Sequence, residues 1–306
     1  MVEFVPAKTP PLDEARASGM DHALYHFRAL PDAPSFVWPG GARIAFTVTV
    51  TLDYWELDPP ESESPDPRIV SPLGKFFPDW LTWSHRQYGA RVGIFRILEV
   101  LDQFNIKPSV ALGTEAAKRY PELIDALSRR DSCFMAHGDY ASRRITSRMA
   151  DERGAIIAAR DGVAAAIGQS PKGWCGQDFN ESADTPALLA EAGFDYTTDW
   201  ANDDRPYLLG PGKLVALPPQ PEWNDLECMW LRRVTPQVWS ANVIEAFEVL
   251  HAEGGNAFNL TLHPWITGQA HRIRYLRDAL HHTLGKSHVW RTTTDALAEA
   301  ARSQLR

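Results

Sequence analysis

Arg43-Ile-Ala-Phe-Thr-Val-Thr-Val-Thr-Leu-Asp53 is apolar and β-branched, and it stops on a carboxylate. A short run of this composition reads as a strand buried on both faces, the kind found in parallel sheets. Two later stretches repeat the pattern. Ser132-Cys-Phe-Met-Ala-His137 ends on an imidazole before Gly138, and Asn256-Ala-Phe-Asn-Leu-Thr-Leu-His263 ends on another before Pro264. Side chains at the C-terminal ends of parallel strands face the ligand crevice of an open sheet or the mouth of a barrel. Three such residues from distant parts of the chain therefore predict one built site.

Between these strands the pattern alternates. Ile94, Ile97, Leu98, Leu101 and Phe104 recur at helical spacing over 91–104. Strands are expected at 108–113, 173–175, 194–198 and 213–217, besides the three above and a last one at 289–293. Helices are expected at 115–129, 151–167, 184–192, 237–253, 271–284 and 294–303. Seven or eight alternations of strand and helix imply a parallel sheet with helices outside. The count suits a closed or nearly closed barrel, although periodicity alone does not separate a barrel from an open sheet. Residues 1–40 are Pro-rich and irregular, and are read as an extension wrapping the barrel; 41–306 form a single catalytic domain. Residues 56–80 carry many prolines and acids and read as a long loop of the lid or binding type.

The 306 residues suffice for one large α/β barrel. A net charge of −8 with no clustered Lys/Arg run argues against a nucleic-acid surface. No apolar run approaches the length that spans a bilayer, and none follows a basic start as a secretory signal would. Cys133, Cys175 and Cys228 are odd in number and widely spaced, which fits reduced thiols and a cytoplasmic protein better than a disulfide framework.

With these elements placed, the chain resembles the polysaccharide deacetylase superfamily, and within it the branch of metal-independent allantoinase and cyclic imide hydrolases. The landmarks are Pro39-Gly-Gly-Ala-Arg-Ile-Ala45, Tyr88-Gly-Ala-Arg-Val-Gly93, Ala136-His137-Gly138, Gly173-Trp174, Asp199 with Asn202-Asp203-Asp204, and Leu262-His263-Pro264 followed by Gly268 and Arg272. The resemblance implies a distorted (β/α)7 barrel that hydrolyses C–N bonds of amides, acetamido groups or cyclic imides. The departures are as informative. Metal-using deacetylases resemble one another in Thr-Phe-Asp-Asp and His-x-x-x-His motifs. In those, the first Asp is the base, and the second Asp and both His residues hold a divalent ion. Here the first motif reads Thr51-Leu52-Asp53-Tyr54, and the second keeps His137 but has Ala141 four residues on. Two of three expected ligands are missing, and zinc needs three protein ligands with an open position. No cofactor is expected on this reading; a divalent ion such as Zn²⁺, completed by His85 or Asp139, is the alternative.

Asp53, His137 and His263 are the expected catalytic residues. Imidazole is readily tuned to give and take a proton near neutrality, so His263 is assigned the general acid for the departing nitrogen. Asp53 orients or deprotonates the attacking water, or positions a histidine, with Glu56 as fallback, and His137 polarises the carbonyl, with a satisfied structural histidine as the plain alternative. Gly138 lets backbone approach a ligand closely. His85, Tyr88 and Arg91 are read as pocket wall, with a solvated loop, or for Arg91 a structural ion pair, as the plain alternative. Among Gln177, Asp178, Asp199 and Asp203, one is expected to orient His263 or to bind an imide N–H. Asp203 and Asp204 fit ordinary turn chemistry equally well. Cys175 is read as core packing, since a thiolate nucleophile needs a neighbouring base and a lowered pKa. Trp265 and other loop tryptophans suit a small aromatic pocket for a planar ring. The sum is a hydrolase opening a small cyclic amide or imide. It takes a small-molecule substrate and meets neither membrane nor nucleic acid; by family likeness it forms a homo-oligomer. A metal-dependent deacetylase of N-acetylated sugars, or a ligand-binding member without catalysis, are the alternatives.

Overall fold

The computed structural model describes residues 22–58, 78–146, 149–210 and 214–305. Seven parallel strands form the sheet: β1 (Ile44–Leu52), β2 (Ser109–Leu112), β3 (Cys133–Ala136), β4 (Gly173–Trp174), β5 (Tyr196–Thr197), β7 (Leu214–Ala216) and β8 (Asn256–Leu262). β6 (Tyr207–Leu209) adds an antiparallel edge to β7, and β9 (Val289–Arg291) pairs with the first residues of β1. The order is β6-β7-β5-β4-β3-β2-β1-β8. This is the curled α/β sheet of a distorted (β/α)7 barrel. The two edges are bridged outside the strands, where Ala257 N–H at the start of β8 donates to the Asp204 carbonyl.

Alternation along the strands sorts the core into two clusters. Phe46, Val48, Val50, Leu112, Trp174, Leu260 and Leu262 face the helices. Ala45, Ala111, Met135, Cys175, Val215 and Ala257 face the barrel interior. The described part of the N-terminal extension enters this interior. Phe36 and Trp38 stack at 4.9 Å and pack within the inner cluster, and Trp38 Nε1 donates to Asn256 O. Above this plug the lumen turns polar. Thr47 and Thr49 both donate to Asn259 Oδ1 at 3.1 Å, and the next inward residues are Thr51, Thr261 and then the candidate catalytic groups.

Several boundaries differ from the expected ones. The 115–129 helix is two helices, α3 (Thr114–Arg119) and α4 (Pro121–Ser128). Pro121 lacks the N–H a continuous helix needs, and it forces Tyr120 out of helical geometry. His85 and Tyr88 lie not in a loop but on α1 (Trp80–Tyr88), which runs through a π-helical turn, Gly89–Gly93, into α2 (Ile94–Gln103). The reason is a crossing with α8 (Pro264–Thr267). A β-carbon on Gly93 would lie 2.0 Å from the Pro264 carbonyl oxygen, and one on Gly268 would lie 2.3 Å from Gly93 Cα. The landmark Gly-Ala-Arg-Val-Gly thus lets the two backbones touch beneath His263. The expected loop 56–80 falls largely outside the described residues, as does residue 213 of the expected strand 213–217 and residues 1–21 of the extension.

The remaining helices are α5 (Glu152–Ile167), α6 (Thr185–Glu191), α7 (Pro236–Glu253), α9 (Ile273–Leu284) and α10 (Thr294–Arg302), close to their expected spans. α5 and α7 start on capping side chains: Asp151 accepts from Gly154 N–H, and Thr235 from Val238 N–H. Among the described residues no helix is long and apolar enough to cross a membrane.

Candidate active site

Strand register brings the site together. Leu52, Leu112, Ala136 and Trp174 form one aligned row across β1 to β4. The next residues up are Asp53, Gly113, His137 and Cys175. Gly113 has no side chain, so Asp53 and His137 meet across the intervening strand: His137 Nε2 lies 3.1 Å from Asp53 Oδ1. On the other side of β1, Val50 pairs with Leu262, which places His263 beside Asp53 at the same barrel end.

His137 Nδ1 lies 2.5 Å from the Cys175 carbonyl, which can only accept, so Nδ1 carries a proton. Nε2 faces a carboxylate and is protonated as well. Burial opposes a charged ring, but Asp53 and the Cys175 contacts override it and raise the His137 pKa well above the ordinary histidine value. Burial would raise the Asp53 pKa; the imidazoliums of His137 and His263 and a bond from Gln177 lower it instead. The two shifts agree on a buried ion pair. Gln177 Nε2 braces it, donating to His137 O at 2.6 Å and to Asp53 Oδ1 at 3.3 Å.

His263 belongs to a second unit. Its Nδ1 lies 2.6 Å from Asp225 Oδ1, and its backbone N–H donates to Asp225 Oδ2 at 2.8 Å. Thr267 Oγ1 also donates to Oδ2. Asp225 is fully buried. Burial would lower the His263 pKa, but the Asp225 carboxylate, with Asp53 and Glu227 behind it, raises it to about 9. The imidazole is therefore fixed with Nδ1 on the carboxylate, and Nε2 is the nitrogen available to a ligand.

Asp53, His137, His263, Gln177, Asp178 and Trp265 line one narrow cleft. Trp55, Phe179, Leu226 and Cys175 complete its walls.

Other expected site residues stand elsewhere. Glu56 is held by Arg143 at 2.9 Å and Ser142 at 2.7 Å, so it is no spare base. His85 packs behind the wall on Trp230 and Trp265, and its Nε2 accepts from Gln269; burial, Arg272 and Arg86 lower its pKa. The Tyr88 hydroxyl accepts from Arg96, and Arg91 is exposed on the π turn. Asp203 accepts from Arg205 N–H in a turn beside the first residues of β8, the end opposite His263. Asp199 lies behind the cleft, accepting from Gly176 N–H.

The carboxylate on His263 Nδ1 is not among the four residues expected to orient it or to bind an imide N–H. Asp225 holds that place, in a stretch read as loop between the seventh strand and α7. The short π-helical turn Leu226–Leu231 that carries its neighbours has no periodic signature. Asn224 Oδ1 accepts Leu226 N–H at 2.9 Å and shapes the turn. An Asx residue before an apolar run was the available signal.

For a metal, His137 alone of the three expected ligands is present, and Asp53 stands at the base position. The positions of the others are filled by Ala141, which is buried, and by Tyr54, whose ring packs at 6.2 Å from both Tyr120 and Tyr140 under Arg119. Asp139 is paired with Arg143 and His85 is across the wall. Among the described residues no three His, Cys, Asp or Glu side chains are grouped to hold an ion, so the donor set falls short of the family's metal site.

Neither a family model nor a curated protein sequence matches the chain. Solved structures do. A Mycobacterium smegmatis protein assigned provisionally as a polysaccharide deacetylase superposes with a TM-score of 0.77 at 26% identity, over 90% of this chain and 96% of that one. PuuE allantoinase superposes at 0.79 and 23%, over 89% and 94%. A Pseudomonas aeruginosa protein, also provisionally a polysaccharide deacetylase, gives 0.76 and 23%, over 88% and 94%. Architecture and coverage show that the chain shares the fold of these structures, and it is similar to proteins described as polysaccharide deacetylases and to an allantoinase.

Proposed function

We propose that this protein is a C–N hydrolase that opens a small cyclic amide or imide with water. One observation carries the reading: a carboxylate–imidazolium pair, Asp53–His137, lines the same cleft as His263, whose imidazole the fully buried Asp225 holds. Oδ1 of Asp53 is engaged by His137 and Gln177, so Oδ2 takes the proton of the attacking water. As the C–O bond forms, positive charge on His137 and His263 stabilises the oxygen of the tetrahedral intermediate. His263 Nε2–H protonates the ring nitrogen as the C–N bond breaks, and Asp53 returns its proton to the imidazole. The product is a ring-opened acid; once its carboxyl has given its proton to water, the carboxylate is repelled by Asp53, which favours release.

A strained or activated ring suits a site that relies on hydrogen-bond donors rather than a Lewis acid. The narrow cleft with Trp55, Phe179 and Trp265 suits a flat molecule better than a long glycan. The test is a hydrolysis screen of hydantoins, succinimides, dihydropyrimidines, allantoin and N-acetylglucosamine oligomers, with and without EDTA. Turnover of an imide that ignores EDTA and vanishes in His263→Ala supports the proposal. Activity restricted to acetylated oligomers and abolished by EDTA overturns it.

That second outcome would favour a metal-dependent deacetylase. One observation speaks for it: a histidine whose Nδ1–H is anchored on a carbonyl, as in His137, is also the usual arrangement of a metal ligand. Stoichiometric Zn²⁺ on the purified protein would select it.

A further inference from the structure

Gln177 opens the short turn Gln177–Phe179 that follows β4, and its side chain lines the cleft. Its amide is held from one side. Nε2 donates to His137 O at 2.6 Å and to Asp53 Oδ1 at 3.3 Å. A carbonyl and an ionised carboxylate can only accept, so the nitrogen must face them and the two ends of the amide are not interchangeable. Oε1 therefore points away from the pair. No donor among the described residues reaches it. Nor is it one of the polar atoms sealed without a partner in the interior. Gln177 is only 7% exposed, and it borders the cleft beside Asp53 and His263. An acceptor on so buried a side chain costs free energy until a ligand donates to it.

The turn keeps this oxygen in place. Asp178 and Phe179 are left-handed, at φ 53° and 56°, a conformation that persists only where the surroundings impose it. Behind the turn, both carboxylate oxygens of Asp199 accept from Gly176 N–H, at 2.8 and 2.9 Å. From the other side Arg144 Nε meets Asp178 Oδ2 at 3.4 Å, and both side chains are largely buried. Asp178 also lines the cleft, but this guanidinium engages its carboxylate. The neutral acceptor that the turn offers to a ligand is Gln177 Oε1, and a neutral carbonyl suits a neutral N–H.

We propose that Gln177 is a specificity-determining residue: its Oε1 accepts the N–H of the ring nitrogen whose C–N bond is cut, which restricts the site to N-unsubstituted cyclic amides and imides. The inference deepens the proposed function and rests on it only for the identity of that nitrogen. An amide nitrogen can serve both contacts at once. Its N–H lies in the plane of the ring, toward Gln177. Its lone pair is delocalised until the carbonyl is attacked. It then develops out of that plane, where His263 Nε2–H protonates it. Holding the N–H fixes how the ring lies against Asp53 and His263. An N-alkyl ring would leave Oε1 without a donor and press carbon against it.

The test compares succinimide with N-methylsuccinimide on the full chain, in wild type, Gln177→Leu and Gln177→Glu. Wild type should favour the N–H ring by roughly 10–100-fold in kcat/KM, the worth of one acceptor left unpaired. Gln177→Leu removes the acceptor together with the brace on Asp53, so it should slow both substrates and abolish most of the preference. Gln177→Glu loses the donated hydrogens but keeps an acceptor oxygen, so it should lower both rates and retain the preference. A side chain that only braces Asp53 and His137 would change both rates together and leave their ratio alone. Equal use of the two rings by wild type, or a preference that survives in Gln177→Leu, overturns the proposal; survival would mean that bulk at the nitrogen, and no acceptor, excludes the methyl group. Equilibrium binding of pyrrolidinone and N-methylpyrrolidinone, followed by NMR, repeats the comparison without turnover. The N–H lactam should bind more tightly to wild type and lose that advantage in Gln177→Leu. If no imide is hydrolysed while the lactams still show this pattern, the proposed function fails and the N–H acceptor stands.

Discussion

Asp225 grips His263 twice, through Nδ1 at 2.6 Å and through the backbone N–H at 2.8 Å, from a position 38 residues earlier in the chain and fully buried. One carboxylate therefore fixes the ring's tautomer, its orientation and its charge. The arrangement parallels the carboxylate–imidazole half of a hydrolytic triad.

Asp225→Asn should keep the fold and lose the charge. The His263 pKa should fall from about 9 toward the ordinary histidine range. Turnover of the screened substrate should drop by ~10²–10⁴, the usual worth of a positioned acid. NMR titration of the His263 ring and steady-state kinetics read the two effects. An unchanged pKa would mean Asp225 is not the group that charges this ring.

Stability should carry the same signature. His263 binds its proton more tightly folded than unfolded, so its contribution is complete below about 6.5 and fades as pH rises to about 9. Asp53 has the opposite sign: its pKa is lowered, so its contribution holds above the ordinary carboxylate value and is lost as pH falls through the folded value. Urea denaturation across pH should show the alkaline decline in wild type and a shallower one in His263→Ala.

Removing one member of the Asp53–His137 pair leaves a buried charge without its partner. His137→Ala should cost ~3–5 kcal/mol of stability. The double variant Asp53→Asn/His137→Phe should lose less than His137→Ala alone. Equal losses would show that the pair is solvated and not a buried ion pair.

Gly93→Ala should be far worse than an exposed helix glycine change, because its β-carbon would stand 2.0 Å from Pro264 O. Overpacking of this kind costs ~1–3 kcal/mol. The strain falls on the segment that holds His263, so turnover should fall together with the unfolding midpoint. A variant that gained stability through helix propensity would refute the crossing.

Much of the fold was legible because strand-end residues carry a local signal. β1, β3 and β8 each show an unbroken apolar run ended by Asp53, His137 or His263, and burial on both sheet faces demands that composition. The tight landmark at Gly89–Gly93 was visible as a pattern, while its cause, contact with Pro264 and Gly268, was not. Asp225 escaped notice because an irregular π-helical turn has no period to read. Asp199, Asp203 and Glu56 looked like site residues on position alone; their actual partners, Gly176, Arg205 and Arg143, settle them in other work.

The sequence by itself determined an alternating α/β chain, three strands that end in proton-transfer groups, and Tyr54 and Ala141 where the metal-using deacetylases it resembles carry ligands. These are local properties of composition and order. Only the tertiary structure decided which carboxylate serves which imidazole: Asp53 reaches His137 across Gly113, and Asp225 reaches His263 from a turn. Such pairings depend on strand register and on close backbone approach between segments far apart in sequence, and a one-residue shift of either would send the side chains to opposite faces.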